Sequence, residues 1–317
     1  MTDVTISPDP VRRSRRRQLV TTVAVAATLL LASAAACDDD TDPGLPTVQQ
    51  LREASTIHDR AKLRIGVNPD FPLMSYLDGN TRRGFDVEVA RYIARSLGFE
   101  GDQSIQWVPL TTEQRVEFLR SGKVDIVVAS FSITDDRAKD VGFAGPYLIT
   151  TPEVLVLKEY ADEIQTIPDL RKKEYAVCVA GGSTTQGMLK ELSVPVGEAD
   201  SPSDCRDGLL DGKFQAMVSD ETILAGFLSE HPTEFELVDM PFGVEEALGI
   251  GVPLEDENLR DLVAYFLAKS YEQSQRGEAT AWQTAYITTL GNWLGEAQQP
   301  PPIGAPDLLD HDDKIRQ

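Results

Sequence analysis

The sequence predicts an α/β protein whose sheets are covered by helices on both faces. Short apolar runs of strand character alternate with segments whose apolar residues recur at helical spacing, and this alternation is typical of α/β folds. Of the 317 residues, 41% are hydrophobic, which is enough to bury a core in about two domains. The sequence contains no repeat with the period of a solenoid.

The predicted elements form two successive α/β sets. The first set has strands at 63–67, 105–108, 124–129 and 152–157 and helices at 86–97 and 112–120. The second has strands at 175–179 and 214–218, and helices from about 184, at 203–211 and at 220–229. A strand at 248–252 and helices at 257–275 and 279–290 complete the folded part.

The N-terminal segment has the pattern of an export signal. Five arginines between positions 12 and 17 precede the uncharged run 19–36, which ends in three alanines before Cys37. We therefore assign 1–36 to a signal peptide, with Cys37 lipidated after cleavage and 37–48 as an acidic linker. A lipobox usually has leucine where Ala34 stands. An uncleaved membrane anchor is the alternative, since 18 apolar residues nearly span a bilayer. The arginines leave Sec and twin-arginine export both open.

The cysteine count agrees with export to an oxidising compartment. If Cys37 carries lipid, Cys178 and Cys205 remain as one pair, and a disulfide between them is expected. Two buried free thiols are the alternative. The sequence has no Cys-x-x-Cys, and its three histidines are widely separated, so neither a metal nor a redox cofactor is expected.

The charge of the chain narrows its partners. The formal charge is −21, and the first 36 residues carry five arginines against two aspartates, so the remainder is near −24. A surface this acidic is repelled by phosphates, which argues against binding to nucleic acid or to anionic lipid headgroups through the folded part.

The run 129–137 has the residue types of a carboxylate-binding site. It follows a predicted strand, and Thr134 is in position to cap a helix. Free N–H groups at a helix start, the Ser130 and Ser132 hydroxyls and the Arg137 guanidinium can together bind a small carboxylate. A capped turn with a solvated arginine is the alternative reading of this run.

Six segments carry a resemblance to a known family through their order and spacing. They are GFDVE at 84–88, SGKVD at 121–125, SITDDR at 132–137, FAGPY at 143–147, GSTT at 182–185 and SDETILAG at 219–226. Together they resemble the solute-binding proteins of polar amino-acid ABC importers, the bacterial extracellular solute-binding proteins of family 3. Within that family, the sequence resembles the glutamate- and glutamine-binding lipoproteins of actinobacteria.

The resemblance implies a two-lobed periplasmic-binding-protein fold of type II, the Venus-flytrap architecture, with the ligand between the lobes. Two crossover strands would lie near 149–157 and 247–253. The first lobe would combine 48–148 with 247–296, and the second would span 149–246. The tail 297–317 is rich in proline and charge, and we expect it to be disordered.

The resemblance also implies roles for residues on both lobes. Arg137 would clamp the ligand's α-carboxylate, helped by Ser132 and by the backbone near Ser130. Thr184 would reach the same carboxylate from the second lobe. Asp220 would pair with the α-ammonium, although an aspartate before a helix can also act only as its N-cap.

Phe71 and Phe85 would form aromatic walls of the pocket, for packing and for a cation–π contact with the ammonium. Either could instead be an ordinary core residue.

The ligand's side chain is expected to be neutral, because two positions lack the charged residues that some other family members have there. Asn68 stands where some family members place a charged residue, and Ala180 stands where others have a lysine. A neutral polar ligand such as glutamine or asparagine therefore fits better than a strictly acidic or basic one. Arg82 or Arg83 would restore an acidic preference if either pointed into the cleft, but solvated positions are expected for both.

The resemblance thus implies a monomeric lipoprotein held by its lipid at the extracytoplasmic face of the cell membrane. It would bind a polar L-amino acid of the glutamine, asparagine or glutamate type and deliver it to an ABC permease. An amino-acid sensor signalling to a membrane partner is the alternative. An enzyme on the same fold is not expected, because the sequence lacks Gly-x-Ser-x-Gly, phosphate-loop and His-Glu-x-x-His motifs.

Overall fold

Two five-stranded sheets, each packed against helices, form the framework of the protein. A computed structural model describes residues 44–240 and 242–310. The strands in these residues are β1 (Leu63–Val67), β2 (Tyr76–Asp78), β3 (Thr81–Arg83), β4 (Ile105–Pro109), β5 (Ile126–Ser132), β6 (Val141–Thr150), β7 (Pro152–Leu157), β8 (Val177–Ala180), β9 (Val196–Ala199), β10 (Ala216–Asp220), β11 (Phe235–Val238) and β12 (Glu246–Pro253). The helices are α1 (Val48–Ala54), α2 (Phe85–Ser96), α3 (Gln114–Arg120), α4 (Ile167–Leu170), α5 (Thr184–Glu191), α6 (Pro202–Leu210), α7 (Glu221–Glu230), α8 (Glu257–Gln275), α9 (Ala281–Thr289) and α10 (Gly291–Leu294).

The first sheet has the strand order β4-β1-β5-β12-β6. Strand β1 runs parallel to β4 and β5, whereas β12 runs antiparallel to β5 and β6. All seven residues of β5 are buried. A parallel strand covered by helices on both faces reads as one continuous apolar run, which is why this segment was recognisable from sequence.

The second sheet has the order β11-β7-β10-β8-β9 and its own core. Strand β10 is parallel to β8 and antiparallel to β7. β-branched residues of three strands, among them Val154, Val177 and Val218, pack there with leucines of the covering helices. Such side chains suit a pleated surface that is buried on both faces.

The chain passes twice between the two sheets, as expected for the two-lobed fold. It leaves the first sheet with β6 and enters the second with β7, one residue later at Pro152. It returns between β11 and β12, whose first residue, Glu246, pairs with Thr150 of β6. The first lobe is therefore built around β1–β6 and β12, and the second around β7–β11. These lobes define the type II architecture.

A disulfide joins Cys178 of β8 to Cys205 of α6. Both cysteines are fully buried. The bond ties the strand that precedes the 181–183 turn to the helix beside it, within the second lobe.

The segment after α10 is ordered against the first lobe as far as Asp310, although disorder is expected for it from composition. The Ile303 N–H donates to the Gly145 carbonyl over 2.8 Å, and the Gln299 side chain is buried. Leu309 pairs with the segment before α1, since its N–H donates to Pro46 and its carbonyl accepts from Val48. Proline-rich chain can pack in this way because neighbouring backbone supplies its hydrogen bonds.

The predicted signal peptide, the lipidation site Cys37 and most of the linker lie outside the described residues. Within the described ranges, no helix combines the length and the apolar character needed to cross a bilayer.

Candidate functional site

A polar cavity lies where the two lobes meet, at the ends of β5, β8 and β10. It encloses about 330 Å³ between its lining atoms, including the part open to solvent. The first lobe contributes Phe71, Thr112, Arg115, Ser130, Ser132 and Arg137, and the second contributes Ala180, Ser183, Thr184, Thr185, Pro202, Ser219, Asp220 and Ile223. Six of the eight residues expected to bind ligand are brought together here: Phe71, Ser130, Ser132, Arg137, Thr184 and Asp220.

Arg137 spans the cleft. Its Nη1 donates to the Ser132 carbonyl over 2.9 Å, and its Nη2 donates to the Gly182 carbonyl of the second lobe over 3.1 Å. Its guanidinium also stacks near the Phe131 ring. Burial lowers the pKa of Arg137, while the charges of Glu246 and Asp220 oppose that shift. The side chain is therefore held in place and partly buried, which suits a bidentate carboxylate clamp.

The local structure around Arg137 differs from the predicted helix start. Residues Arg137–Lys139 form a single 3₁₀ turn, and a regular helix does not follow. Thr134 still acts as a cap, because its Oγ1 accepts from the Arg137 N–H over 3.2 Å. Strand β6 begins at Val141, two residues after this turn, which leaves no room for a longer helix.

Ser130 is held by a buried carboxylate behind it. Its backbone N–H and its hydroxyl both donate to Asp86 Oδ2, over 2.8 and 3.0 Å, and its φ is +46°. The Tyr147 hydroxyl donates to Asp86 Oδ1 over 2.7 Å. Burial nevertheless raises the pKa of Asp86 to about 6. The Ser130 N–H, expected to help bind a ligand carboxylate, is thus already engaged with Asp86.

Arg115 is a cavity residue that sequence reasoning missed. Its Nη1 donates to the carbonyls of Ala129 and Ser130, over 3.2 and 2.9 Å, and its guanidinium lies over the Phe131 ring. Burial, followed by the charge of Arg137, lowers the pKa of Arg115 to about 9. A signal was present in the sequence, because Arg115 lies four residues before the buried Leu119 and hence on the apolar face of α3.

Asp220 supplies the negative charge on the second lobe. It is the last residue of β10 and the N-cap position of α7, yet its side chain makes no capping hydrogen bond. The carboxylate is buried and lines the cavity. Burial and then the charge of Glu246 raise the pKa of Asp220 to about 8. The alternative role, an ordinary capping aspartate, therefore does not describe this side chain.

Thr184 begins α5, directly after its N-cap Ser183. The first N–H groups of a helix have no partners within it. Thr184 and Thr185, the first two residues of α5, both line the cavity. The Thr184 hydroxyl donates to Glu246 Oε2 over 2.8 Å. Glu246, a buried carboxylate at the start of β12, is the second functional candidate that sequence reasoning missed. Its signal was a glutamate inside an otherwise apolar strand, 246–253.

Phe71 lines the cavity, but Phe85 does not. Phe71 packs edge to face against Phe227 of the second lobe, with ring centroids 6.4 Å apart. Phe85 is fully buried in the first lobe's core, where it contacts Tyr147, Trp282 and Tyr286. The reason is local, because Phe85 is the first residue of α2 and its N-cap Gly84, at φ +118°, lies against the Met74 backbone. The proposed pocket role of Phe85 is therefore replaced by a core role.

Asn68 is buried behind the cavity and is absent from its lining. Its carbonyl accepts from Ser75 Oγ over 2.6 Å and from Arg82 Nη1 over 2.9 Å, while its Nδ2 has no partner in the described residues. Arg82 is buried, contrary to the expected solvated position, and holds the 68–75 loop. Arg83 is exposed and pairs with Asp78.

The lobes contact each other around the cavity. Ser203 Oγ of the second lobe donates to the Asp70 carbonyl of the first over 3.2 Å. A Cβ atom on Gly226 of α7 would lie 2.1 Å from the Pro72 carbonyl oxygen. The absence of a side chain at Gly226 therefore permits this close approach of α7 to the first lobe.

The arrangement can bind a zwitterion. The Arg137 guanidinium can pair with a carboxylate and the Asp220 carboxylate with an ammonium, and both residues line the same cavity. Each lobe supplies one of the two charges, so both pairs form only when the lobes are together.

Comparisons with known proteins agree with this geometry. The family "Bacterial extracellular solute-binding proteins, family 3" matches residues 63–288, more than half of the chain. A glutamate-binding protein of Corynebacterium efficiens is 31% identical over 67% of this chain and 75% of its own. A glutamine-binding protein of Geobacillus stearothermophilus is 28% identical over 69% and 80%.

The structure is also similar to solved receptors. The crystal structure of a solute receptor for L-cysteine of Neisseria gonorrhoeae matches 80% of this chain and 97% of its own, with a TM-score of 0.67 and 29% identity. Sequence motifs, two-lobed fold and inter-lobe cavity lead to one conclusion: the chain belongs to family 3 of the bacterial extracellular solute-binding proteins.

Proposed function

We propose that this protein binds a free polar L-amino acid of the glutamine, asparagine or glutamate type in the inter-lobe cavity. One observation carries the proposal: Arg137 and Asp220, from opposite lobes, line the same cavity, and no hydrogen bond from the described residues reaches the Asp220 carboxylate. A zwitterion would pair with both groups at once. The glutamate- and glutamine-binding relatives support this class of ligand.

Arg115 supports a ligand whose side chain ends in an oxygen acceptor. Its guanidinium forms no ion pair with a carboxylate among the described residues, and it lines the cavity beside Thr112. An amide oxygen or a carboxylate would satisfy its remaining N–H donors. We favour the neutral amide, because the buried carboxyl groups of Asp86, Asp220 and Glu246 already act on the two arginines and an anionic ligand would add further negative charge.

We further propose that the protein is anchored through lipid on Cys37 and delivers its ligand to an ABC importer. The anchor is supported by the arginine cluster, the apolar run and the three alanines that precede Cys37. Metabolic labelling with a fatty acid should mark the wild type and not Cys37→Ser; an unlabelled wild type would reject the anchor.

Titration calorimetry tests the binding proposal. Glutamine, asparagine, glutamate and arginine are each titrated into wild type, Arg137→Ala and Asp220→Ala. Removing one partner of a desolvated charge pair costs about 2–5 kcal/mol, so both variants should lose affinity by tens to thousands of fold. Arg120→Ala is the matched control, because Arg120 is exposed and pairs with the exposed Asp140 away from the cavity lining. Unchanged affinity in Arg137→Ala, or no heat with any amino acid in the wild type, would refute the proposal.

A further inference from the structure

Arg82 is a buried arginine whose guanidinium is bonded to a single loop, residues 68–75. It lies in the middle of β3, where side chains alternate between the two faces, so its neighbours on the strand are exposed while Arg82 is only 6% exposed. Its Nη1 donates to the carbonyls of Asn68 and Pro69, over 2.9 and 3.3 Å, and to Ser75 Oγ over 3.3 Å. These bonds offset the cost of removing a guanidinium from water, and each of them ties Arg82 to the 68–75 loop.

The loop is closed around this guanidinium. Ser75 Oγ donates to the Asn68 carbonyl over 2.6 Å, and Phe71 and Ser75 each donate their N–H to the other's carbonyl over 2.7 Å. Leu73, between them, has a φ of +64°, a conformation that a leucine adopts only where its surroundings impose it. The shape of the loop therefore depends on the bonds that close it, and Arg82 contributes three of them.

The backbone of Arg82 is itself held in place. Arg91 of α2 donates through Nη2 to the Arg82 carbonyl over 2.9 Å. The same guanidinium pairs with Glu88 and Asp102, over 2.6 and 2.7 Å. The Arg82 side chain thus starts from a fixed point of the first lobe, which allows it to fix the position of the loop in turn.

The 68–75 loop contacts α6 and α7 of the second lobe. The Asp70 carbonyl accepts from Ser203 Oγ over 3.2 Å. The next two residues of the loop, at 71 and 72, pack on the ring of Phe227 and against Gly226. Phe71 also lines the inter-lobe cavity. One loop therefore shapes a wall of the cavity and makes contacts between the lobes.

We propose that Arg82 sets the affinity for the amino acid, as a positioning residue that holds the 68–75 loop in the shape needed to wall the cavity and to meet the second lobe. The proposal rests on amino-acid binding at this cavity. Arg82 is absent from the cavity lining, so it acts on every ligand alike rather than on one ligand group. Without its bonds, the loop would be ordered only on binding, and the cost of ordering it would weaken the affinity.

Two other roles for Arg82 would give different results. A residue that reads the charge of the ligand's side chain would affect the binding of glutamate and leave the binding of glutamine unchanged. A residue that only supports the fold would lower the free energy of unfolding and leave the affinity of the folded protein unchanged. A uniform loss of affinity, measured well below the unfolding temperature, is the result expected of a positioning residue.

The test is titration calorimetry of L-glutamine, L-asparagine and L-glutamate into wild type, Arg82→Met and Arg83→Met, with a thermal melt of each preparation. Methionine keeps an apolar stem and removes the donors. Arg83→Met is the matched control, because Arg83 is the next residue of the same strand, is exposed and pairs with Asp78. Ordering the backbone of one residue changes a binding constant about tenfold, so Arg82→Met should weaken every amino acid that the wild type binds about tenfold or more, by factors that agree within about twofold. Arg83→Met should change the affinity by less than about twofold, as expected for an exposed ion pair.

Unchanged affinity in Arg82→Met, or a loss confined to glutamate, would overturn the proposal while leaving amino-acid binding intact. A wild type that binds no amino acid would overturn both. If Arg82→Met does not fold, Ser75→Ala takes its place, because it opens the same loop while Arg82 keeps its bonds to the two carbonyls. This variant should also weaken all ligands alike, and unchanged affinity would again overturn the proposal.

A double-mutant cycle tests whether Arg82 acts through the contact of the loop with the second lobe. Ser203→Ala removes the donor to the Asp70 carbonyl and should weaken binding about threefold to tenfold, the effect of one hydrogen bond. If Arg82 positions that carbonyl, adding Ser203→Ala to Arg82→Met should weaken binding by no more than about another twofold. Full additivity of the two single losses would contradict this route and with it the proposal.

Discussion

The two walls of the cavity differ in how completely their polar groups are satisfied. On the first lobe, Ser130 is bonded to Asp86, and Arg115 is bonded to two main-chain carbonyls. On the second, Asp220 accepts no bond from the described residues, and Thr184 and Thr185, the first residues of α5, line the cavity. The first wall is thus preorganised by its own chain, whereas the second wall is completed only by what it binds. Affinity should depend on both walls, but stability on the first alone.

The substitution with the largest expected effect on the first wall is Asp86→Ala. This change leaves the Ser130 N–H, the Ser130 hydroxyl and the Tyr147 hydroxyl without their acceptor, and each unsatisfied buried donor costs about 1–3 kcal/mol. We expect the free energy of unfolding in urea to fall by at least about 3 kcal/mol, with binding lost as well. Asp102→Ala, which removes an exposed partner of Arg91, should cost about 0–1 kcal/mol. Similar losses in the two variants would contradict the preorganised first wall.

Asp220→Asn should weaken amino-acid binding at the second wall without destabilising the fold. The change replaces a buried carboxyl group that accepts no hydrogen bond from the described residues, so thermal stability should stay the same or rise. Amino-acid affinity should fall by about 2–5 kcal/mol, because the ammonium loses its counter-charge. Calorimetry and a thermal melt of the same preparation check both statements. A large fall in melting temperature would show that Asp220 supports the fold.

The pH dependence of stability should report on Asp86. Its pKa is raised from 3.8 to about 6 by burial, so the folded protein holds this proton more tightly than the unfolded chain. The contribution of Asp86 to stability is therefore greatest below about pH 4 and declines as pH rises through about 6, by about 3 kcal/mol in all. Asp86→Asn cannot titrate. Between about pH 4 and pH 7, the unfolding free energy of the wild type should therefore fall relative to that of Asp86→Asn. A constant difference between the two proteins would contradict the raised pKa of Asp86.

The contact between the walls can be changed separately from either wall. Gly226→Ala places a Cβ against the Pro72 carbonyl, and such overpacking costs about 1–3 kcal/mol. Because this contact forms only when the lobes meet, we expect the cost to appear as lost affinity, with the melting temperature of the protein in the absence of amino acid nearly unchanged. Gly187→Ala is the control, since its Cβ would meet no atom within 4 Å. Equal affinity in both variants would show that lobe contact and binding are not linked.

The secondary-structure elements that could be predicted from the sequence are those with a long, local pattern. The helix at 257–275 was predicted with its observed bounds, because a long amphipathic period depends only on local spacing. The hairpin of β2 and β3 was missed, since strands of three residues carry too short a pattern. Strands β9 and β11 were missed for the same reason.

Whether a site residue could be predicted also depended on how local its sequence signal is. Arg137 and Asp220, which both line the cavity, could be picked out because each stands in a local motif that follows or ends a strand. Arg115 and Glu246 were not, because their roles depend on partners from distant segments: Arg115 bonds to β5, and Glu246 bonds to α5. Phe85 was expected to line the pocket because it belongs to the GFDVE motif at 84–88. Its side chain instead packs in the core of the first lobe.

The pairing of Leu309 with Pro46 and Val48 has a mechanical consequence. Both ends of the described chain are fastened to the same lobe, a few residues from each other. A force or a fusion partner applied at either end therefore acts on that lobe alone. The second lobe, which the chain enters and leaves through the two crossovers, lies outside the path of that load.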